Sequence, residues 1–171
     1  MGKTNFQVGR IFVAPLLCGG YGFGYITYFS RSLMTLSNIF DFIGDEPTPP
    51  HDITEKPIII HDLIVGPEFL LTHEHNAGEQ WKFTKMFVEG SVAPKNRYYI
   101  MGGPPRAYRR IDILEEEPDM PLSPDEAMKY PDPGAPFPPV PTAQVEVELK
   151  RLAISPKDLV KSWRERQKSQ I

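Results

Sequence analysis

At 171 residues the chain is long enough for one ordinary domain, or for a membrane span carrying one small module. Its nineteen prolines, roughly twice average usage, each remove an N–H donor and so work against a regular barrel, a doubly wound sheet or a long helical bundle. A hydrophobic content of 40 % argues against wholesale disorder, a formal charge of −3 against a dedicated nucleic-acid binder, and a single cysteine against any internal disulfide framework.

After an N-terminal segment, 1–10, the stretch 11–30 (IFVAPLLCGGYGFGYITYFS) carries no charge between Arg10 and Arg31. Twenty helical residues rise about 30 Å, the thickness of a hydrocarbon core, and the flanking arginines can reach the two interfaces. The expectation is one N-terminal transmembrane α-helix. Within it Gly20 and Gly24, and likewise Ala14, Cys18 and Gly22, recur at four-residue spacing, which allows close packing against other helices. The alternative for the same run is a buried hairpin or core helix. No A-x-A cleavage site follows the run, and Phe6 breaks the myristoylation pattern.

In 31–44, Leu33, Leu36, Phe40 and Ile43 recur at helical spacing, which points to an amphipathic interfacial helix ending at Gly44. Lys3 and Arg10 precede the span while only Arg31 follows it closely, so the positive-inside tendency places the N-terminus on the matrix or cytoplasmic side.

The region 45–103 reads as a small strand-containing module. Candidate strands are 57–65 (PIIIHDLIV), rich in β-branched residues, 81–87 (WKFTKMF), and 96–101 (NRYYIM) before the Gly102-Gly103-Pro104-Pro105 turn signal. Whether they share a sheet is open at this level. His51-Asp52 and His61-Asp62 form a short echo without matching flanks. His73 and His75 share a face if extended and, with Glu79, suit a metal such as zinc or iron. The string HEHNAGE resembles the first part of a cupin metal motif, but no histidine follows His75 and Met86 stands where that motif has glycine. The chain shows no nucleophile elbow, phosphate loop, CxxC or HExxH, so no catalytic residue and no cofactor is expected.

The segment 104–141 holds eleven prolines, and Asp112 to Asp132 has eight acids against Lys129. It reads as an extended acidic arm whose apolar studs, Ile113, Leu114, Met120, Leu122, Met128, Tyr130 and Phe137, drop into a neighbour's pockets. In the last part, 142–171, Val145, Val147 and Leu149 alternate while Leu149, Leu152 and Ala153 fit a helix, leaving that stretch ambiguous. Ser155-Pro156-Lys157-Asp158 is a helix-start signature. The helix it opens is basic, with Lys157, Lys161, Arg164, Arg166 and Lys168, and suits acidic lipid or an acidic protein surface.

The expected fold is therefore a single-pass membrane protein, the remainder irregular, proline-rich and extended with a few short β-strands and a short C-terminal helix. That layout resembles the accessory subunits of large mitochondrial inner-membrane complexes, small chains with one N-terminal span and an arm over neighbouring subunits. The resemblance implies a non-catalytic structural subunit of a respiratory-chain complex or ATP synthase, with other subunits and membrane lipid as partners and no nucleic acid. The alternatives are a membrane-tethered adaptor or assembly factor and, more remotely, a small membrane-anchored metalloenzyme.

Overall fold

Glycine decides the shape of the N-terminal third. In the computed structural model, which describes residues 7–29, 35–66, 81–90, 93–131 and 139–169, Gly19 and Gly20 have φ of +88° and +86°. L side chains rarely adopt that region, and two such residues in a row reverse the chain. The Leu16 N–H closes the turn on the Gly20 carbonyl at 3.0 Å. Strand β1 (Arg10–Pro15) then pairs antiparallel with β2 (Tyr21–Phe29), Ile11 opposite Tyr25 and Pro15 opposite Tyr21.

The transmembrane helix expected over 11–30 is thus a β-hairpin. Alternate side chains of both strands are buried on opposite faces: Phe12, Ala14 and Ile26 on one, Ile11, Val13, Phe23 and Tyr25 on the other. A strand covered on both faces reads as an unbroken apolar run, as a span does. Among the described residues no helix is long and apolar enough to cross a membrane. A single-pass inner-membrane location, which rested on that helix, is not supported.

The interfacial helix expected over 31–44 is also a strand, β3 (Thr35–Gly44), with 31–34 outside the described residues. Register shifts interrupt its pairing with both neighbours. Both faces of the strand are covered, with Ile39 in the core on one side and Phe40 in the core on the other, so Leu36, Ile39 and Phe40 are all buried at a spacing that mimics a helix.

Strands β4 (Ile58–Val65) and β5 (Lys82–Phe87) complete an antiparallel sheet in the order β4-β3-β2-β1-β5. One face packs against Val145 and Leu149, which join Phe12, Ala14, Ile26, Ile39, Leu63, Val65 and Trp81. Ile53, in the 3-10 turn Ile53–Glu55, joins Ile11, Val13, Phe23, Tyr25 and Phe40 on the other.

A second sheet, in the order β6-β7-β8, comprises β6 (Tyr98–Gly103), β7 (Arg106–Asp112) and β8 (Met120–Leu122). Tyr99 and Ile113 pack it onto Leu36 and Ile64 of the first. The Asp112 carboxylate closes the turn after β7, accepting from the Arg97 guanidinium at 2.9 Å and from the amides of Leu114, Glu116 and Glu117. Helix α1 (Pro124–Ala127) follows with a Ser123–Glu126 capping box. Residues 104–131 of the expected extended arm are therefore largely folded onto their own chain, because Asp112 and the cap supply the hydrogen bonds that proline withholds.

Helix α2 (Val140–Leu149) lies against the first sheet and α3 (Pro156–Lys168) against α2, with Leu159 and Val160 on Ala143 and Val147. Glu146, fully buried, pins α2 to the glycine turn. It accepts from the Cys18 amide at 3.1 Å and pairs at 2.8 Å with Lys150, which also donates to the Cys18 and Gly19 carbonyls.

Candidate functional site

Strand β4 would be an ordinary edge but for one polar pair. Ser37 lies opposite Leu63 and Ile39 opposite Ile60, so His61 and Asp62 together face the single residue Asn38. Such a bulge bends the strand and re-aims its side chains. His61 turns out to solvent and Asp62 is buried at 8 % exposure, with a backbone φ of +55°. A non-glycine residue in that region costs on the order of 1–2 kcal/mol.

A chain of hydrogen bonds offsets that strain. The Asp62 N–H donates to Asn38 Oδ1 at 3.1 Å, and Asn38 Nδ2 donates to the Tyr25 hydroxyl at 3.0 Å. Asp62 Oδ2 accepts from the amides of Lys95 at 2.6 Å and Asn96 at 3.1 Å. The bulge thereby fastens the start of the second sheet to the edge of the first.

The junction leaves a cleft of about 490 Å³ beside β4. Ile59, Ile60, Leu63 and Ile64 provide its apolar side, and His61 and Asp62 belong to the same strand. Asn96 and Tyr99 face it from the second sheet, Gln144 and Glu148 from α2, and Pro131 and Pro156 stand at its ends. Among the described residues no strand pairs with the outer edge of β4. Concave volume at a junction of substructures, apolar with a few convergent polar groups, is the usual setting of a binding site.

Tyr99 gives this cleft its most unusual group. The residue is 4 % exposed and its hydroxyl has no hydrogen-bond partner among the described residues. Burial first, and then the charge of Asp62, push its phenol up to about 12, so at neutral pH it is a protonated hydroxyl whose oxygen can also accept a hydrogen bond. The nearby Asn96 side chain opposes that shift without making a well-formed hydrogen bond. A buried hydroxyl without a partner costs about 1–3 kcal/mol and is uncommon enough to ask what would satisfy it.

The residues singled out in the sequence lie elsewhere. Ala14, Gly22 and Gly24 are in the hairpin strands, and Gly20 is in its turn, 3.1 Å from Ile43 Cγ2 for a notional Cβ. Small residues do permit close approach here, but to sheet and helix neighbours: a Cβ on Gly22 would meet Val145 and Leu149 of α2 at 3.0 Å. Cys18 is exposed beside the glycine turn, its Sγ 3.0 Å from Arg166 Nη2.

Of the expected arm contacts, Ile113 and Leu122 are buried within the chain, Leu114 and Tyr130 are half-buried, and Met120 and Met128 are exposed. Phe137 lies outside the described residues. Lys157, Lys161, Arg164, Arg166 and Lys168 are exposed along α3. His73, His75 and Glu79 fall outside the described residues, and among those described no group of three or more His, Cys, Asp or Glu is placed to hold a metal.

The cleft residues Tyr99, Gln144 and Glu148 had no sequence signature. His61-Asp62 did carry one, a polar pair inside the apolar run IIIHDLIV, which marks a break in strand alternation. No family model, no curated protein and no solved structure matches this chain.

Proposed function

We propose that the protein is a non-catalytic binding module that docks an extended segment of another polypeptide along the open edge of β4. The observation that carries the reading is the cleft itself, bordered on one side by the edge of a strand and on the other by polar side chains from α2 and the second sheet. An unpaired strand edge offers main-chain N–H and C=O groups to any incoming strand, and flanking pockets select its side chains. This takes up the adaptor role that the sequence offered as the alternative to an accessory subunit, and drops its membrane tether, since residues 11–29 form a hairpin.

The experiment is native size fractionation of the full chain from its own cells, with co-eluting proteins identified and counted. A partner at fixed ratio is expected, and it should be lost from a His61→Trp, Gln144→Arg variant that fills the cleft. Migration of the unaltered chain alone at its own mass would refute the reading. So would a partner retained at full ratio by the variant.

A further inference from the structure

We infer that the β4 cleft takes a guanidinium group, presented by an arginine on an extended segment of the partner. This deepens the docking reading above and rests on it. Three features of the cleft point the same way.

First, carboxyl acceptors come from two elements. Asp62 on β4 directs one carboxylate oxygen, Oδ2, to the Lys95 and Asn96 amides. Glu148 is exposed on α2 at the same cleft. The side-chain amides of Asn96 and Gln144 add neutral carbonyl acceptors. A guanidinium has five donors in a fixed planar fork and bonds carboxylates with charge assistance, which suits acceptors arriving from several directions.

Second, the apolar side of the cleft, Ile59, Ile60 and Leu63, matches the aliphatic stem that arginine buries while its head reaches polar groups. A short cation would leave that surface wet. A purely apolar side chain would strand the acceptors.

Third, the Tyr99 hydroxyl is buried without a partner among the described residues, in the field of Asp62. Its oxygen can accept from a guanidinium N–H once the exposed Asn96 side chain gives way, which no carboxylate ligand could exploit beside Asp62. The cations nearby do not fill this role. Arg151, which feels the charge of Glu148, is held by Asp41 at 2.8 Å, and Lys95 reaches Asp62 through its backbone amide. The chain's net charge of −3 favours encounter with a basic partner.

The test uses the full chain and three capped pentapeptides, Thr-Val-Arg-Val-Thr and its Gln- and Glu-centred counterparts, titrated while the backbone amide resonances of His61, Asp62, Asn96 and Gln144 are followed. The arginine peptide should shift those amides saturably and bind at least about tenfold tighter than the glutamine peptide, as a charge-assisted contact does over a neutral one. Glu148→Lys should remove most of that preference. Tyr99→Phe should reduce it by about threefold while leaving the protein no less stable, since it deletes a hydroxyl that has no partner.

If the glutamine and glutamate peptides bind the same amides as tightly as the arginine peptide, strand docking stands and the guanidinium pocket is wrong. If no peptide shifts these amides, both fail. Shifts confined to α3 or to the far edge of the sheet would also overturn the assignment, as would an arginine preference that survives Glu148→Lys.

Discussion

Replacing Gly24 by alanine should cost the protein about 3 kcal/mol, the upper end of the range for overpacking a core. A Cβ there would lie 2.6 Å from the Asn38 carbonyl oxygen, 2.7 Å from Ile39 Cδ1 and 2.7 Å from Phe12 Cζ, where ordinary contact begins at 3.4 Å. The end of Ile39 can turn aside, but the carbonyl and the Phe12 ring cannot retreat cheaply. The carbonyl belongs to the β2–β3 ladder, and the Phe12 ring is stacked on Trp81 at a centroid distance of 5.2 Å. Urea unfolding followed by tryptophan fluorescence would read the loss as a midpoint lowered by about 1.5 M, taking an m-value of about 2 kcal/mol/M.

Two companions separate packing from backbone conformation. Gly22→Ala meets only the ends of Val145 and Leu149 side chains, at 3.0 Å, and should cost about 1 kcal/mol. Gly90→Ala meets nothing within 4 Å among the described residues, so it reports only the cost of its φ of +91°, again about 1 kcal/mol. In a membrane helix the sign at position 24 would reverse, because alanine favours helix over glycine by about 1 kcal/mol. A Gly24→Ala protein within about 0.5 kcal/mol of the parent, or one less affected than Gly22→Ala, would refute the close approach on which the hairpin packing depends.

Lys150→Met should destabilise by about 2–4 kcal/mol, because among the described residues it leaves the fully buried Glu146 carboxylate with the Cys18 amide alone, and a Glu146→Leu, Lys150→Met double variant should recover most of that loss. Chemical unfolding of Lys150→Met, Glu146→Leu and the double variant checks this, and simple additivity of the two single losses would contradict it. For Asp112, the Arg97 guanidinium, aided by the amides of Leu114, Glu117 and Glu116, holds the carboxyl at about 2, below its ordinary value of 3.8. Its stabilisation is complete above the unfolded value and is lost as pH falls through the folded one. The stability gap between the parent and Asp112→Asn should therefore be flat from pH 7 to about pH 5 and close toward about pH 2. Urea unfolding across that range would expose a gap that instead grows in acid.

Local signals in the sequence map well onto local features of the fold. Ser155-Pro156-Lys157-Asp158 coincides with the start of α3, where the Ser155 hydroxyl accepts from the Asp158 amide, because a cap is built from four consecutive residues. The candidate strands at 57–65, 81–87 and 96–101 overlap β4, β5 and β6. Their partnership was not legible: β4 and β5 end at opposite edges of one sheet, and β6 belongs to another.

The apolar run over 11–30 was compatible with two environments, lipid or a sheet covered on both faces, and hydropathy is the same in each. What separates them is Gly19-Gly20, whose turn geometry is cheap only outside a helix. Helix α2 was ambiguous for a related reason. Ala143, Val145, Glu146, Val147 and Leu149 are all buried between the sheet and α3, so no single face shows a period. The cleft was least visible, since it joins β4, residues 96–99 and α2 through contacts that only the tertiary fold creates.

The bond between Cys18 and Glu146 spans 128 residues. On a ribosome adding about 5–20 residues per second, the hairpin emerges roughly 6–25 s before the helix that covers it. During that interval Phe12, Ala14 and Ile26 present bare apolar surface on a strand pair, the kind of surface that recruits other nascent chains. The glycine turn can form at once, but its anchor arrives 128 residues later. Any shortening of the chain before residue 140 would leave that surface permanently uncovered, so premature termination should yield aggregates rather than a smaller working module.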